Sequence, residues 1–434
     1  MITLYLKQAW ILIKQQRLFT GIYVLGTGLS IALVMTVFII FYVKFAPIYP
    51  EYNRNRTLVV KSVKVTMEDP KSTNLWCGTV SDRIAGMMAD LPHLEAVTAT
   101  ATDWQPKFIT LPDGIEQLET KVRYADAGFW QVFTFRFLYG KPFTQADIDA
   151  RRPELVIPQS LSERLFATAD AVGREVQMDG MAYRVCGVVA DASSATPASS
   201  GDVWMPASFN SSATSVYSDN HEVRLLGDWS IYLTAAAAAD KEALKEEVRD
   251  LFRKYNQNDE HFVSDFSGQP DDYWASTFRF DACNAPDLTN TIGTFALLFL
   301  ALLIIPGMNL SGMVASRMDN RIAEMGIRKT YGATRGNLIS QVLWENLLLT
   351  CLGGLLGLLL SYLIVLTSSH WILTLFDTWV EPDKAPQFTF EMLFNPLVFA
   401  AAFLLCVALN LISAFVPTAW ALRHPIIQSI QMKN

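Results

Sequence analysis

Four stretches of the chain carry no Asp, Glu, Lys or Arg: 21–43, 288–316, 346–376 and 392–422. Each exceeds the roughly 20 residues that an α-helix needs to cross a hydrocarbon core. Lipid offers the backbone no hydrogen-bond partners, so such stretches must be helices. Everything between the first and second stretch alternates polar and apolar residues like a folded domain. The pattern predicts an integral membrane protein with four transmembrane α-helices, one plus three, and a large α+β extracytoplasmic domain between helices 1 and 2. The expected boundaries are an interfacial helix over 1–20, helix 1 over 21–43, the external domain over 44–287 and helix 2 over 288–316. A coupling loop or helix follows over 317–337, then helix 3 over 338–367, an external loop over 368–394, helix 4 over 395–417 and a tail over 418–434. The first stretch is too long for a signal-peptide core and is followed by no A-x-A-like cleavage site. It reads as a retained anchor that leaves the membrane at Lys44-Phe45-Ala46-Pro47.

Basic residues fix the expected orientation. Lys7, Lys14 and Arg17 precede helix 1; Arg317, Arg321, Arg328, Lys329 and Arg335 lie between helices 2 and 3; Arg423 and Lys433 follow helix 4. Asp377, Glu381, Asp383 and Glu391 face a single Lys384 between helices 3 and 4. Both termini and the 2–3 loop are therefore expected in the cytoplasm of a bacterial cell, with the large domain outside the cytoplasmic membrane.

Within the external domain, 57–65 reads as strand and 80–91 as an amphipathic helix. Asp179-Gly180 between apolar runs over 176–189 is a hairpin signal. The Ser/Ala/Pro-rich 193–201 reads as a mobile loop. The strand 229–234 followed by a helix over 239–255 suggests a small β–α subdomain of its own.

Composition agrees with a membrane protein: 51% hydrophobic and 18% charged residues, with net charge −7. A soluble chain usually carries about a quarter charged residues. No nucleic-acid partner is expected. Of five cysteines, Cys351 and Cys406 fall in spans; Cys77, Cys186 and Cys283 fall in the external domain and allow at most one disulfide, with pairing, or none, left open.

The motifs of several chemistries are missing from the sequence. There is no G-x-x-x-x-G-K-[ST], no G-x-S-x-G and no H-E-x-x-H. His93, His221, His261, His370 and His424 stand at no usual metal-ligand spacing. Asp259, Glu260, Asp265, Asp271 and Asp272 do not fit an EF-hand order and read as a solvated acidic face. No enzymatic activity, metal or cofactor is expected in this chain. Within the expected spans the only acidic residue is Glu345, near the cytoplasmic start of helix 3, which argues against an ion-coupled transporter or a channel with a charged filter.

The positive signal is the charged, Gly-punctuated segment Arg321 to Thr334 between two apolar runs. Glu324 and Arg328 are four apart and share a helix face. Gly332 fits a left-handed C-cap and Thr334 an N-cap. The reading is a short rigid cytoplasmic helix, a tight turn and a new membrane helix, a form suited to transmitting force. Gly353 and Gly357 form a G-x-x-x-G that permits close helix packing, often in dimers. Pro306, with Gly307, is expected to bend helix 2.

Several motifs resemble one family. Glu324-x-Gly326-Ile327-Arg328-Lys329-x-x-Gly332-Ala333 resembles the most recognisable segment of MacB/FtsX-superfamily ABC permeases, and so do Asn309-Leu310 and Pro417-x-x-x-Ala421-x-Arg423-x-Pro425. Phe129-x-x-x-Phe133-x-Phe135-x-Phe137-Leu138-x-Gly140-Lys141-Pro142-Phe143, Val185-x-Gly187-Val188-Val189-x-Asp191 and Asp202-Val203-Trp204-Met205-Pro206 are similar to its MacB-like periplasmic core domain. The resemblance implies a permease dimer, of two copies or a copy and a paralogue, working with two ATPase subunits that bind ATP and magnesium. It makes Arg321, Glu324, Met325, Gly326, Ile327, Arg328, Lys329, Gly332 and Ala333 the ATPase-coupling site. It implies mechanotransmission, in which ATP hydrolysis below the membrane moves the domain above it. Members export peptides or toxins with adaptor and outer-membrane partners, release lipoproteins, or activate cell-wall hydrolases. The size of the external domain favours the MacB-like branch over an FtsX-type signalling permease; a membrane sensor or scaffold would need no such loop. MacB carries its ATPase on the same polypeptide, and this sequence contains no such motif. Thr330-Tyr331 and Gly336 also depart from the family pattern, which bears on which ATPase it fits.

Overall fold

The computed structural model describes residues 17–67, 74–103, 105–111, 114, 117–210, 216–218, 221–368 and 396–421. The expected interfacial helix before Arg17, the external loop 369–395, the tail after Ala421, and with them His370, His424 and the flanking charges counted above in those segments, lie outside the described residues. The chain divides into two compact units, Lys44–Leu288 and the remainder.

The first unit is built on one mixed sheet. Its strands run in the order Asp271–Asp272, Thr57–Val60, Ser230–Ala235, Leu94–Thr102, Val122–Ala125, Val203–Pro206, Glu154–Pro158, Met181–Val189, Glu175–Met178, Lys107–Thr110 and Leu118–Thr120. Phe137–Gly140 also pairs with Met181–Val189. Side chains alternate across a strand, and here both faces are buried. Leu58, Val60, Leu155, Ile157, Ile231 and Leu233 face one core. Val59, Val156, Tyr232 and Trp204 face the other, with Phe129, Phe133, Phe135 and Phe143. That is why central strands such as Thr57–Val60, Glu154–Pro158 and Val203–Pro206 carry successive apolar residues, while Glu175–Met178 near the sheet edge alternates buried and exposed positions.

Asp179 (φ 52°) and Gly180 (φ 74°) supply the two left-handed positions of a tight hairpin, with Met178 paired to Met181. The expected strand over 57–65 is two strands, Thr57–Val60 and Ser62–Met67, broken where the Lys61 amide donates to Gln269 Oε1 at 2.7 Å. The expected helix over 80–91 shrinks to Arg83–Met88, because the Val80 and Ser81 amides donate to the carbonyls of Trp229 and Leu225. The 229–255 segment is no separate subdomain. Its strand sits inside the sheet between Thr57–Val60 and Leu94–Thr102, and its helix, α2 (Lys241–Asn258), packs on that sheet through Leu244 and Val248. The 193–201 segment is no mobile surface loop either. Ser193, Thr196, Ala198 and Ser199 are buried, and Arg123 donates to the carbonyls of Pro197 and Ser200 at 2.7 and 2.6 Å. Small side chains let this backbone pack closely.

In the second unit, α1 (Arg17–Phe45), α3 (Leu288–Thr330), α4 (Arg335–Thr367) and α5 (Pro396–Ala421) follow the one-plus-three plan. Among the described residues, α1, α4 and α5 are long and apolar enough to cross a membrane, and α3 begins with a shorter apolar stretch, Leu288–Leu302. The expected break between helix 2 and a separate cytoplasmic helix does not exist. α3 continues through Pro306 and the charged residues beyond 316, where no further proline interrupts it, as far as Thr330.

Candidate functional site: the turn between α3 and α4

α3 ends because Gly332 takes φ +91°, a left-handed conformation open to glycine. The Ala333 amide donates to the Arg328 carbonyl at 3.1 Å and the Gly332 amide to the Lys329 carbonyl at 3.0 Å, the paired bonds of a Schellman motif. Thr334 then caps α4, its hydroxyl accepting from the Asn337 amide at 3.3 Å. Both ends of the turn are thus closed by their own residues.

The turn is also held to the bundle. Met325 is buried with Tyr23, Leu338, Val342, Leu349 and Ala414. Arg328 does not point outward: its Nη1 donates to Gln341 Oε1 of α4 at 2.8 Å. Ile327 at 52% and Tyr331 at 88% exposure face solvent, four residues apart, and Thr330 and Gly332 are exposed beside them. Gly326 is buried. The side chains of Arg321 and Glu324 lie outside the described residues, so the expected Glu324–Arg328 pair does too. Sequence reasoning placed Met325, Gly326, Ile327, Arg328, Lys329, Gly332 and Ala333 in one site; the structure splits them into residues that brace and residues that present a surface. It missed Tyr331 as an exposed aromatic in the turn and Gln341 as the brace. The signal for Tyr331 was an aromatic beside a cap glycine.

α4 is tied to its neighbours by polar bonds that the sequence reading did not anticipate. Tyr23 OH donates to Asn346 Oδ1 at 3.1 Å, and Asn410 Nδ2 donates to Thr350 Oγ1 at 3.2 Å. Gln341, Glu345, Asn346 and Thr350 are all buried, so the bundle interior is not devoid of polar groups. Such bonds between membrane helices contribute about 0.6–1.7 kcal/mol each. The G-x-x-x-G is used within the chain: a Cβ on Gly353 would stand 3.0 Å from Thr27, and one on Gly357 would stand 2.7 Å from the Gly28 carbonyl oxygen of α1. Gly354 likewise meets Phe403 of α5.

In the external unit, the five acidic residues do not converge. Asp259 and Asp265 cap local amides, Asp271 is forked to Arg279, and Asp272 pairs with Lys241 and Lys245. No group of potential metal ligands occurs among the described residues. Cys77 and Cys283 form a disulfide. Cys186 is half-buried, and burial pushes its thiol up to about 12, which makes it a poor nucleophile.

Residues 20–251 match the model of the MacB-like periplasmic core domain, and residues 294–426 match that of the FtsX-like permease C-terminal domain. The chain belongs to the MacB/FtsX family of ABC transporter permeases. It is 24% identical over 251 residues to the uncharacterized ABC transporter permease YknZ of Bacillus subtilis strain 168, covering 57% of each chain. It is 25% identical over 354 residues to the macrolide export ATP-binding/permease protein MacB 1/2 of Paracoccus denitrificans, covering 80% of this chain and 46% of that one. The permease thus spans about half the length of these curated relatives. The crystal structure of the periplasmic region of MacB from Actinobacillus actinomycetemcomitans aligns over 47% of this chain and 88% of that one, at 16% identity and a TM-score of 0.32. The permease is a membrane protein with an extracytoplasmic α+β domain.

Proposed function

We propose that this chain is the permease subunit of an ABC transporter whose partner ATPase docks on the α3–α4 turn. The ATPase, in two copies, binds ATP and magnesium and hydrolyses the nucleotide; this chain is not itself an enzyme and needs no cofactor. Two permease chains span the cytoplasmic (inner) membrane with their termini and the turn in the cytoplasm. The turn passes the ATPase motion to the helices and so to the external domain, by mechanotransmission. Relatives named for macrolide export and pyoverdine export favour an exported peptide, toxin, antimicrobial or lipoprotein as cargo, with adaptor or outer-membrane partners where the envelope requires them.

One observation carries this reading: a turn capped at both ends and braced on its inner side presents Ile327 and Tyr331 to solvent. A docking surface of that kind needs a stiff base to transmit force. The test is affinity purification from native membranes in mild detergent. A P-loop ATPase should co-purify in stoichiometric amount, and Tyr331→Ser combined with Lys329→Glu should remove it while the permease stays folded. Arg328→Glu should lower both association and stability, since it also breaks the tie to Gln341. Unchanged ATPase recovery with the Tyr331/Lys329 variant would refute the docking site.

A further inference from the structure

Glu51 is 2% exposed and Arg54 is 4% exposed, a few residues beyond the end of α1. Burying an ion pair costs several kcal/mol per ion in desolvation, which mutual attraction offsets only with good geometry and further hydrogen bonds. Here the bonds reach three separate segments. Arg54 Nε donates to Glu51 Oε2 at 2.8 Å, and Arg54 Nη1 donates to the carbonyl oxygens of Ala46 at 2.9 Å and Lys44 at 3.3 Å. The last carbonyls of a helix lack intrahelical partners and favour a cation nearby. Arg54 thus grips the chain where it leaves α1. Glu51 Oε1 accepts from the amide and hydroxyl of Ser199 at 2.9 and 2.7 Å. Glu51 Oε2 also accepts from the Tyr273 hydroxyl, and the Tyr273 ring lies 4.8 Å from the Arg54 guanidinium.

Tyr273 opens a one-turn helix, Tyr273–Ser276, from which the chain runs without regular structure to α3 at Leu288. That strap is pinned along its length. Lys61 Nζ donates to the Ser276 carbonyl at 2.8 Å, Arg279 forks onto Asp271 at 2.7 and 3.0 Å, and Cys283 is bonded to Cys77.

We propose that Glu51 is a junction that locks the exit of α1 to the strap entering α3, so that a pull on either tether loads the external domain through both. The source of the pull rests on the ATPase-driven reading; the junction itself does not. A pair of apolar side chains could fill this space, but could not hold a helix end, a loop and a strap in one register.

Hydrogen exchange on the full-length protein in detergent tests the junction. Tyr273→Phe keeps the ring beneath Arg54 and removes one hydroxyl. Ser199→Ala removes a different donor to the same carboxylate. Each should speed amide exchange about five- to tenfold, the effect of one lost buried hydrogen bond, in all three segments: 46–56, 196–200 and 277–284. Faster exchange confined to the segment that carries the substitution, or no change at all, would overturn the junction. Adding ATP to wild-type protein with its co-purified ATPase separates the two ideas. Exchange in these segments that ignores turnover would sink the ATPase-driven reading and leave the junction standing.

Discussion

Breaking the Cys77–Cys283 bond should destabilise the external domain by an amount set by the loop it closes. The two residues are 206 apart in sequence. Chain-entropy arithmetic for a loop of that length gives a ceiling of about 5 kcal/mol, and measured bridges contribute about 2–4 kcal/mol. A unit of this size shifts its melting temperature by about 2–4 °C per kcal/mol, so Cys77→Ser should lower it by roughly 5–15 °C. The assay is thermal unfolding in detergent followed by tryptophan fluorescence, because Trp76 and Trp229 both lie in or against the main core. Reductant should reproduce the shift in wild type and add nothing to Cys77→Ser. Cys186→Ser, which breaks no bridge, serves as the control. A melting temperature that ignores both the substitution and the reductant would refute the reasoning. A bridge here also fits an extracytoplasmic domain, since disulfides persist in oxidising compartments.

Gly357→Val should disrupt the membrane unit, since its Cβ would meet backbone and branched side chain on α1. Overpacking of that kind costs about 1–3 kcal/mol, visible as reduced thermal stability in detergent beside a Gly21→Ala control, whose site is open; equal stability would count against the α1–α4 contact. Asp147 is held below the usual carboxylate range by the Thr144 hydroxyl and amide, at 2.6 and 2.9 Å, with Arg152 helping. A depressed folded value means that its contribution is present above the ordinary carboxylate range, about pH 4, and is lost as pH falls through the lower folded value. Thr144 is the N-cap of the short helix Gln145–Asp149, so Asp147→Asn should flatten the acid side of a stability–pH curve, while Thr144→Ala should cost about 1 kcal/mol at neutral pH; an unaltered acid limb in the Asn variant would contradict the Thr144–Asp147 bonds.

The large features were legible because they depend on composition over many residues. A run free of charge and long enough to span lipid has one structural solution, so the one-plus-three plan needed no tertiary information. The hairpin at Asp179-Gly180, the Gly332 cap and the Thr334 cap were legible for a different reason: each is decided by one residue's backbone freedom or one short side chain. Elements whose state depends on a distant partner were not. Nothing local says that Ser193 to Gly201 is buried, because its donors and carbonyls are satisfied by Glu51 and Arg123 from other parts of the chain. Nothing local turns Arg328 inward, because its acceptor, Gln341, lies on the next helix. The cysteine pairing was open for the same reason. Composition and local backbone preference were enough for the apolar helices, the external domain and the capped turn, since burial in lipid and backbone conformation act over short stretches of chain. Folding had to bring remote segments together to settle which turn residues brace and which are exposed, and which segments the buried Glu51 joins, since hydrogen bonds between such segments exist only once the chain has folded.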